Sequence, residues 1–314
     1  MRGYIRAIIC PCHTTFHEAQ PVSDTLSAKP RPLPAMVRPA APVTVADLIT
    51  ELRLAGLPLG ETRMLLAHVS GIDRTRQSTW PEAVLAEEVV DQTIALAERR
   101  RRGEPMAYLL GSREFFSLDF HVTPAVLIPR PETELLVELA LERLPLDEAR
   151  RALDLGTGSG AIAVSLRRHR PLLDMTAVDY AEDALAVASA NAQRLDAPVR
   201  FLHSDWYAAL PGERFDLIVS NPPYIAAGDR HLAEGDLRFE PQGALTDRAD
   251  GLAHIRRIVA EAPAHLNTGG WLLFEHGYDQ AEACRELLLA AGFGKVASWR
   301  DLADIERVTG GKLP

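Results

Sequence analysis

The sequence predicts an α/β protein: an open, mostly parallel sheet with helices on both faces, preceded by a small N-terminal helical bundle. Three observations predict it. From about residue 130, short apolar segments alternate with stretches of helical spacing. Residues 44–102 carry helical periodicity instead. With 314 residues, the chain has the length of about two domains.

Composition bounds the class. Hydrophobic residues make up 47% and charged residues 25%, as in an ordinary globular protein with a real core. No apolar run reaches the roughly 18 residues of a membrane-spanning helix. The three cysteines, Cys10, Cys12 and Cys284, make no disulfide framework, and a reducing, cytoplasmic setting is expected. The net charge of −9 falls entirely in residues 126–314; residues 1–125 balance 14 basic against 14 acidic side chains. A nucleic-acid-gripping domain would show a basic footprint, so no direct nucleic-acid partner is expected.

Residues 1–42 are Pro-rich and aperiodic and are expected to be a disordered tail, or one added by a start assigned too early, with Met36 as a candidate true start. Cys10-Pro-Cys12-His13 followed by His17 loosely resembles zinc-ligand spacing but lacks a second Cys pair, so no metal is expected. Residues 43–112 form the helical domain. Thr44 caps a first helix with Asp47 three residues on; Val45, Leu48, Ile49 and Leu52 share a face. A second helix covers Glu61–Val69. A third is expected over Pro81–Arg102, with Pro at its first position and Arg99–Arg102 as a solvated cationic end. Residues 113–127 read as a hairpin linker.

In residues 128–314, strands are expected at Ala152–Leu155, Met175–Val178, Val199–Leu202, Phe215–Val219 and Trp271–Phe274. Helices are expected at Ile162–Arg170, Ala181–Leu195, Gly251–His265 and Gln280–Ala291. Between the first strand and first helix lies Gly156-Thr157-Gly158-Ser159-Gly160. These glycines permit a tight turn and aim helix N-terminal amides at a ligand. The dinucleotide fingerprint would place its third glycine one residue later. Asp179 ends the next strand, where an acid can accept hydrogen bonds from both ribose hydroxyls. Glycine loop and acid together resemble the S-adenosylmethionine-dependent methyltransferases of the Rossmann-like class I fold.

The strand Phe215–Ser220 runs into Asn221-Pro222-Pro223-Tyr224. Consecutive prolines cannot continue a ladder and rigidify the chain beyond the carboxyl edge of the sheet, where ligands bind. The Asn221 side-chain oxygen and the Pro222 carbonyl can accept two hydrogen bonds from one NH₂ group, and Tyr224 offers a stacking face. That suits a planar nitrogen with a delocalised lone pair, such as a carboxamide or an aminopurine. Two fixed acceptors orient it and favour the positive charge that develops as it takes a methyl group. A nucleic-acid amino-methyltransferase remains the alternative reading of this motif.

Further blocks narrow the resemblance: Arg102-Gly-Glu-Pro-Met-Ala-Tyr108, Arg113-Glu-Phe-Phe-Ser-Leu118, Ile128-Pro-Arg-Pro-Glu-Thr133, Arg238-Phe-Glu-Pro241, Phe274-Glu-His-Gly277 and Arg300 to Thr309. With them the chain resembles the bacterial release-factor glutamine N5-methyltransferases from about residue 44 to 310. The resemblance implies S-adenosylmethionine as donor. It also implies class 1 peptide-chain release factors as partners, methylated on the glutamine of their Gly-Gly-Gln motif, and a helical domain that helps hold them. Cofactor contacts carry over to Gly156, Thr157, Gly158, Ser159, Gly160, Asp179, Trp206 and Asn221. Substrate contacts carry over to Asn221, Pro222, Pro223 and Tyr224, with Asn221, Pro222 and Tyr224 catalytic. Phe116 stands where the family pattern has Trp. Asp205 is expected either to bond the adenine amino group or to cap the following turn. Glu275 and His276 end a buried strand and are expected either to support the site from behind or, in preference, to be plain strand-end polar groups; Cys284 is expected to be packing.

Overall fold

The computed structural model describes residues 36, 38–233 and 235–314. The Cys-Pro-Cys-His segment and almost all of the expected tail lie outside them.

The helical bundle comprises α1 (Val45–Leu54), α2 (Leu59–Ser70), α3 (Arg74–Thr79), α4 (Glu87–Arg101) and α5 (Met106–Leu110). Thr44 and Asp47 form a reciprocal capping box at α1. Val45, Leu48 and Leu52 bury against Leu65, Leu66, Val90 and Ala97. The helix expected from Pro81 differs: it is α4 and starts at Glu87, with Pro81 before it, and the short α3, which the sequence does not predict, precedes it. Residues 81–85 instead run along the start of α1. The Pro81 and Ala83 carbonyls accept from Ala46 and Val45 at 2.8 and 3.0 Å. Here proline's fixed φ serves a turn.

A hairpin follows, β1 (Ser112–Phe115) against β2 (Leu118–His121). Phe116 and Ser117 turn it at φ 50° and 60°, the double positive φ of a tight hairpin turn. Phe116 packs on the core and meets His169 edge-on at 5.0 Å.

The remaining elements are α6 (Glu134–Arg143), β3 (Arg150–Leu155), α7 (Ala161–His169), β4 (Leu173–Asp179), α8 (Glu182–Arg194), β5 (Arg200–His203), β6 (Phe215–Ser220), α9 (Gln242–Leu245), α10 (Ala253–His265), β7 (Leu266–Glu275), α11 (Ala281–Ala290), β8 (Gly294–Arg300) and β9 (Glu306–Lys312). The seven strands order as β5-β4-β3-β6-β7-β9-β8, parallel through β7, with β9 antiparallel to both its neighbours. Successive strand residues point to opposite faces. Ala152, Met175 and Leu217 join α6 and α7 on one face, while Leu153, Ile218 and Leu272 join α10 and α11 on the other.

The chain winds outward in one direction through β3, β4 and β5, and in the other through β6 and β7. The order therefore reverses between β3 and β6, and a crevice opens at their carboxyl ends. The Ser220 hydroxyl crosses this seam to the Leu155 carbonyl at 2.8 Å. The bundle meets the segment after β6 through Arg100, which holds Glu61 at 2.8 and 2.9 Å and Asp236 at 3.3 Å. Arg238 also donates to the Arg102 carbonyl at 3.0 Å. The arginines ending α4 are thus not simply a solvated terminus. Among the described residues no helix is long and apolar enough to cross a membrane.

Candidate active site

A cavity of about 530 Å³ occupies the crevice. Gly156, Thr157, Gly158 and Ser159 line one side, with Asp179, Trp206, Asn221 and Pro223. The glycine loop folds tightly because the Val178 carbonyl accepts from both Gly156 and Thr157 at 2.9 Å. Gly156, Gly158 and Gly160 take φ of 73°, 55° and 82°, backbone that an L side chain rarely adopts. A Cβ on Gly160 would sit 3.2 Å from that of Ala188, so Gly160 packs helix on helix and turns away from the cavity. A Cβ on Gly158 would meet nothing within 4 Å.

Asp179 accepts from Gly158 N at 2.8 Å and Ala181 N at 2.9 Å. Burial pushes its carboxyl upward, and these two amides act against that rise. Its remaining lone pairs are available for ligand hydroxyls. Trp206 sits at φ 54°, with its carbonyl held by the Ser204 hydroxyl at 2.8 Å. Its ring lies 3.6 Å from where a Gly156 side chain would begin, and 5.2 Å from the ring of His254. Asp205 also lines the cavity; both its oxygens take Arg257 Nη1 at 2.8 Å. Its side chain does not cap the following turn, and its remaining lone pairs can still accept from a ligand.

Asn221 is half-buried at the end of β6, and its Nδ2 donates to Thr133 Oγ1 at 3.1 Å. Among the described residues its side-chain oxygen takes no hydrogen bond, which leaves it available as an acceptor. Pro222 is buried and Tyr224 half-buried, and neither lines the cavity. The Tyr224 hydroxyl donates to Glu275 Oε1 at 3.1 Å, and its carbonyl accepts from Gln280 at 3.0 Å. Burial, then the Glu275 charge, push the phenol well upward, so it stays protonated.

Glu275 and His276 are more than plain strand-end groups. Both are buried. His276 spans the Gly277 carbonyl at 2.8 Å and the Thr309 hydroxyl at 2.7 Å. Burial raises the Glu275 carboxyl, opposed by the nearby Thr133 hydroxyl and by the hydrogen bond from Tyr224.

Several cavity residues carry no sequence signal of their own. Arg130, Thr133, Tyr180 and His254 all line the cavity. Arg130 pairs with Glu240, whose other oxygen takes Ile128 N at 3.0 Å. Tyr180 follows the strand-end acid and is 74% exposed, which frees its face for a flat ligand. Asp154, beneath the loop, accepts from the Thr157 hydroxyl at 2.7 Å, while its buried Oδ1 finds no side-chain or water partner among the described residues.

Comparison with known proteins adds an independent line. Two family models match: the methyltransferase small domain over residues 132–237 and the PrmC N-terminal domain over 45–111. Among curated relatives, the release factor glutamine methyltransferase of Burkholderia pseudomallei (strain K96243) is 55% identical, over 87% of this chain and 98% of its own length. That of Bordetella pertussis is 58% identical over 82% and 96%. That of Escherichia coli (strain K12) is 47% identical over 85% and 96%. Among solved structures, the hMettl16 catalytic domain in complex with the MAT2A 3'UTR hairpin 6 shares the fold. It is 17% identical with a TM-score of 0.52, over 67% of this chain and 80% of that one.

Proposed function

Since the chain belongs to the release factor glutamine methyltransferase family, we propose that the crevice between β3 and β6 is where it transfers a methyl group from S-adenosylmethionine to a glutamine side-chain nitrogen. The substrate is the glutamine of the Gly-Gly-Gln motif in class 1 peptide-chain release factors, met in the cytoplasm. The observation that carries this reading is that Asn221 lines the cavity with its nitrogen bound to Thr133, which leaves its side-chain oxygen as the acceptor.

The cavity suits the donor. Its glycine loop presents bare backbone beside open space at Gly158, Asp179 supplies acceptors for ribose hydroxyls, and Trp206 and Tyr180 supply apolar faces. When bound, the donor supplies an electrophilic methyl group on a sulfonium. Gly156, Thr157, Gly158 and Ser159 shape its cradle, and Gly160 seats the following helix behind them.

A glutamine amide nitrogen is a weak nucleophile because its lone pair is delocalised. Asn221 Oδ1 and the Pro222 carbonyl accept its two N–H groups and turn the nitrogen toward the methyl carbon. Both interactions strengthen as positive charge develops on that nitrogen, which is electrostatic stabilisation by preorganised groups. With the donor bound, transfer would leave S-adenosylhomocysteine and a cationic amide acidic enough to lose its proton to water, so no side-chain base is required of this chain. Pro223 stiffens the turn, and Tyr224, anchored by Glu275, holds its far end. The helical domain, residues 43–112, helps hold the release factor.

A labelled-donor assay tests this with a release factor, its Gln→Ala variant and DNA in parallel. Label should enter the intact release factor alone. Asn221→Ala should lower single-turnover rate by about 10²–10³ while release-factor affinity changes little. Label in DNA, or in the Gln→Ala protein, would refute the substrate. A wild-type rate in Asn221→Ala would refute the role of Asn221.

A further inference from the structure

Tyr224, the last residue of the Asn-Pro-Pro-Tyr turn, is gripped from behind by Gln280, a half-buried side chain that does not line the cavity. Gln280 Nε2 donates to the Tyr224 carbonyl at 3.0 Å and to the Gly251 carbonyl at 3.3 Å. Gln280 Oε1 accepts from Gly277 N at 2.9 Å. One carboxamide thus joins three segments distant in sequence: the turn after β6, the approach to α10 and the loop after β7. Glycine makes room for it on two sides. A Cβ on Gly251 would fall 2.7 Å from Nε2, and one on Gly277 would fall 3.1 Å from Oε1. Gln280 stands at the N-terminal cap of α11, yet its side chain makes no capping hydrogen bond there.

We propose that Gln280 is a positioning residue for methyl transfer, which holds the Asn-Pro-Pro-Tyr turn at the depth where the Asn221 side-chain oxygen and the Pro222 carbonyl meet the substrate nitrogen. The proposal rests on the reading of the site given above.

The turn is stiff enough to transmit such a grip. Pro222 and Pro223 each have a fixed φ, so the segment moves nearly as a unit. Ser220 ties its root to β3, through the Leu155 carbonyl. Gln280 ties its end. A displacement of the Tyr224 carbonyl is therefore handed on to Pro222 and Asn221.

The grip also has one polarity. A main-chain carbonyl can only accept and a main-chain N–H can only donate. All three partners of the Gln280 carboxamide are main-chain groups, so only one orientation satisfies them. Flipped, its oxygen would face two carbonyls and its NH₂ group an N–H. Two carbonyls brought to one point need a donor between them, and Gln280 supplies both hydrogens. The loop that carries this clamp is itself braced. His276 Nδ1 donates to the Gly277 carbonyl at 2.8 Å, and its Nε2 meets the Thr309 hydroxyl of β9 at 2.7 Å.

The first test is a double-mutant cycle on the full chain, read as single-turnover methylation of a release factor, with donor affinity by calorimetry alongside. Gln280→Met keeps the length of the side chain and removes its hydrogen bonds. The rate should fall about tenfold, the scale of a sub-ångström displacement, with donor affinity unchanged. In an Asn221→Ala background the same substitution should cost less, because the oxygen it positions is gone. A wild-type rate in Gln280→Met, equal losses in both backgrounds, or donor affinity falling in step with the rate overturns the proposal. If Asn221→Ala itself kept the wild-type rate, the reading of the site would fail instead, so the two failures are distinguishable.

The second test separates hydrogen bonding from shape. Gln280→Glu keeps an acceptor for Gly277 N but, while ionised, sets an oxygen against two carbonyls. Protonated, it regains a hydrogen to donate to the Tyr224 carbonyl. Its rate relative to wild type should therefore rise as pH falls from about 8 to 6, since a carboxyl facing carbonyls protonates early. The same ratio for Gln280→Met should stay flat. A flat ratio in both variants overturns the proposal.

Discussion

Gly251 offers a way to move the Asn-Pro-Pro-Tyr turn without entering the cavity. It is buried at φ +85°, behind Tyr224 and before α10. A Cβ built there falls 2.5 Å from the Tyr224 carbonyl oxygen and 2.7 Å from Gln280 Nε2. Gln280 is the residue that donates to that carbonyl, at 3.0 Å. An ordinary contact begins near 3.4 Å, so Gly251→Ala asks for a displacement of roughly 0.9 Å. Gln280 can yield in part, but the carbonyl belongs to the turn itself. Backbone strain at positive φ adds about 1–3 kcal/mol. A misplacement near 1 Å in a positioned group costs up to about 10²-fold in rate. Single-turnover methylation should therefore fall about 10–10²-fold, with a lower melting temperature. Donor affinity by calorimetry should hold, because the glycine loop and Asp179 lie on other strands. A lower melting temperature with an unchanged rate would show that the turn is not positioned from behind. Donor affinity falling in step with rate would show that the damage is general.

Asp179→Ala should weaken S-adenosylmethionine binding by about 1.5–3 kcal/mol, the scale of hydrogen bonds to a charged group; calorimetry showing unchanged affinity would refute the assignment. Asp154 governs a pH dependence: burial lifts its carboxyl from 3.8 to about 7. The folded chain then holds this proton more tightly than the unfolded one. Its contribution to stability is full below pH 4, falls as pH rises toward 7, and levels off above. Asp154→Asn removes that slope, so in thermal melts without donor its melting temperature relative to wild type should be higher at pH 8 than at pH 5; an equal offset at both values would refute it.

What the sequence reveals is what local rules determine. The glycine loop, Asp179 and Asn221 are legible because each sits where an apolar strand ends, and an open parallel sheet gathers those ends at one edge. Strand β9 is illegible by the same logic. Its Gly310 and Gly311 lower strand propensity, yet the sheet requires them: a Cβ on Gly310 would lie 2.3 Å from Leu273 Cδ2 and one on Gly311 2.9 Å from Phe293 Cβ. Pro81 misleads because proline suits a helix start and a turn alike, and the choice was made by contacts to α1 almost forty residues earlier. The contacts of Thr133 to Asn221 and of Arg257 to Asp205 are invisible for a related reason. Their partners lie on other elements, and no spacing rule reaches across a sheet.

The contact between Arg100, Glu61 and Asp236, with Arg238 reaching the Arg102 carbonyl, bears on how such a protein can be inherited or recombined. The spans of the two family models, 45–111 and 132–237, suggest interchangeable modules. One ion pair, Arg100 to Asp236, crosses between them. A graft of the bundle alone would keep the Arg238 contact, which needs only a main-chain carbonyl, but would have to supply an arginine opposite Asp236. The segment 235–240 thus faces both ways, since it also supplies Glu240 to Arg130 at the cavity wall. Substitutions on the two sides of this seam are expected to travel as pairs.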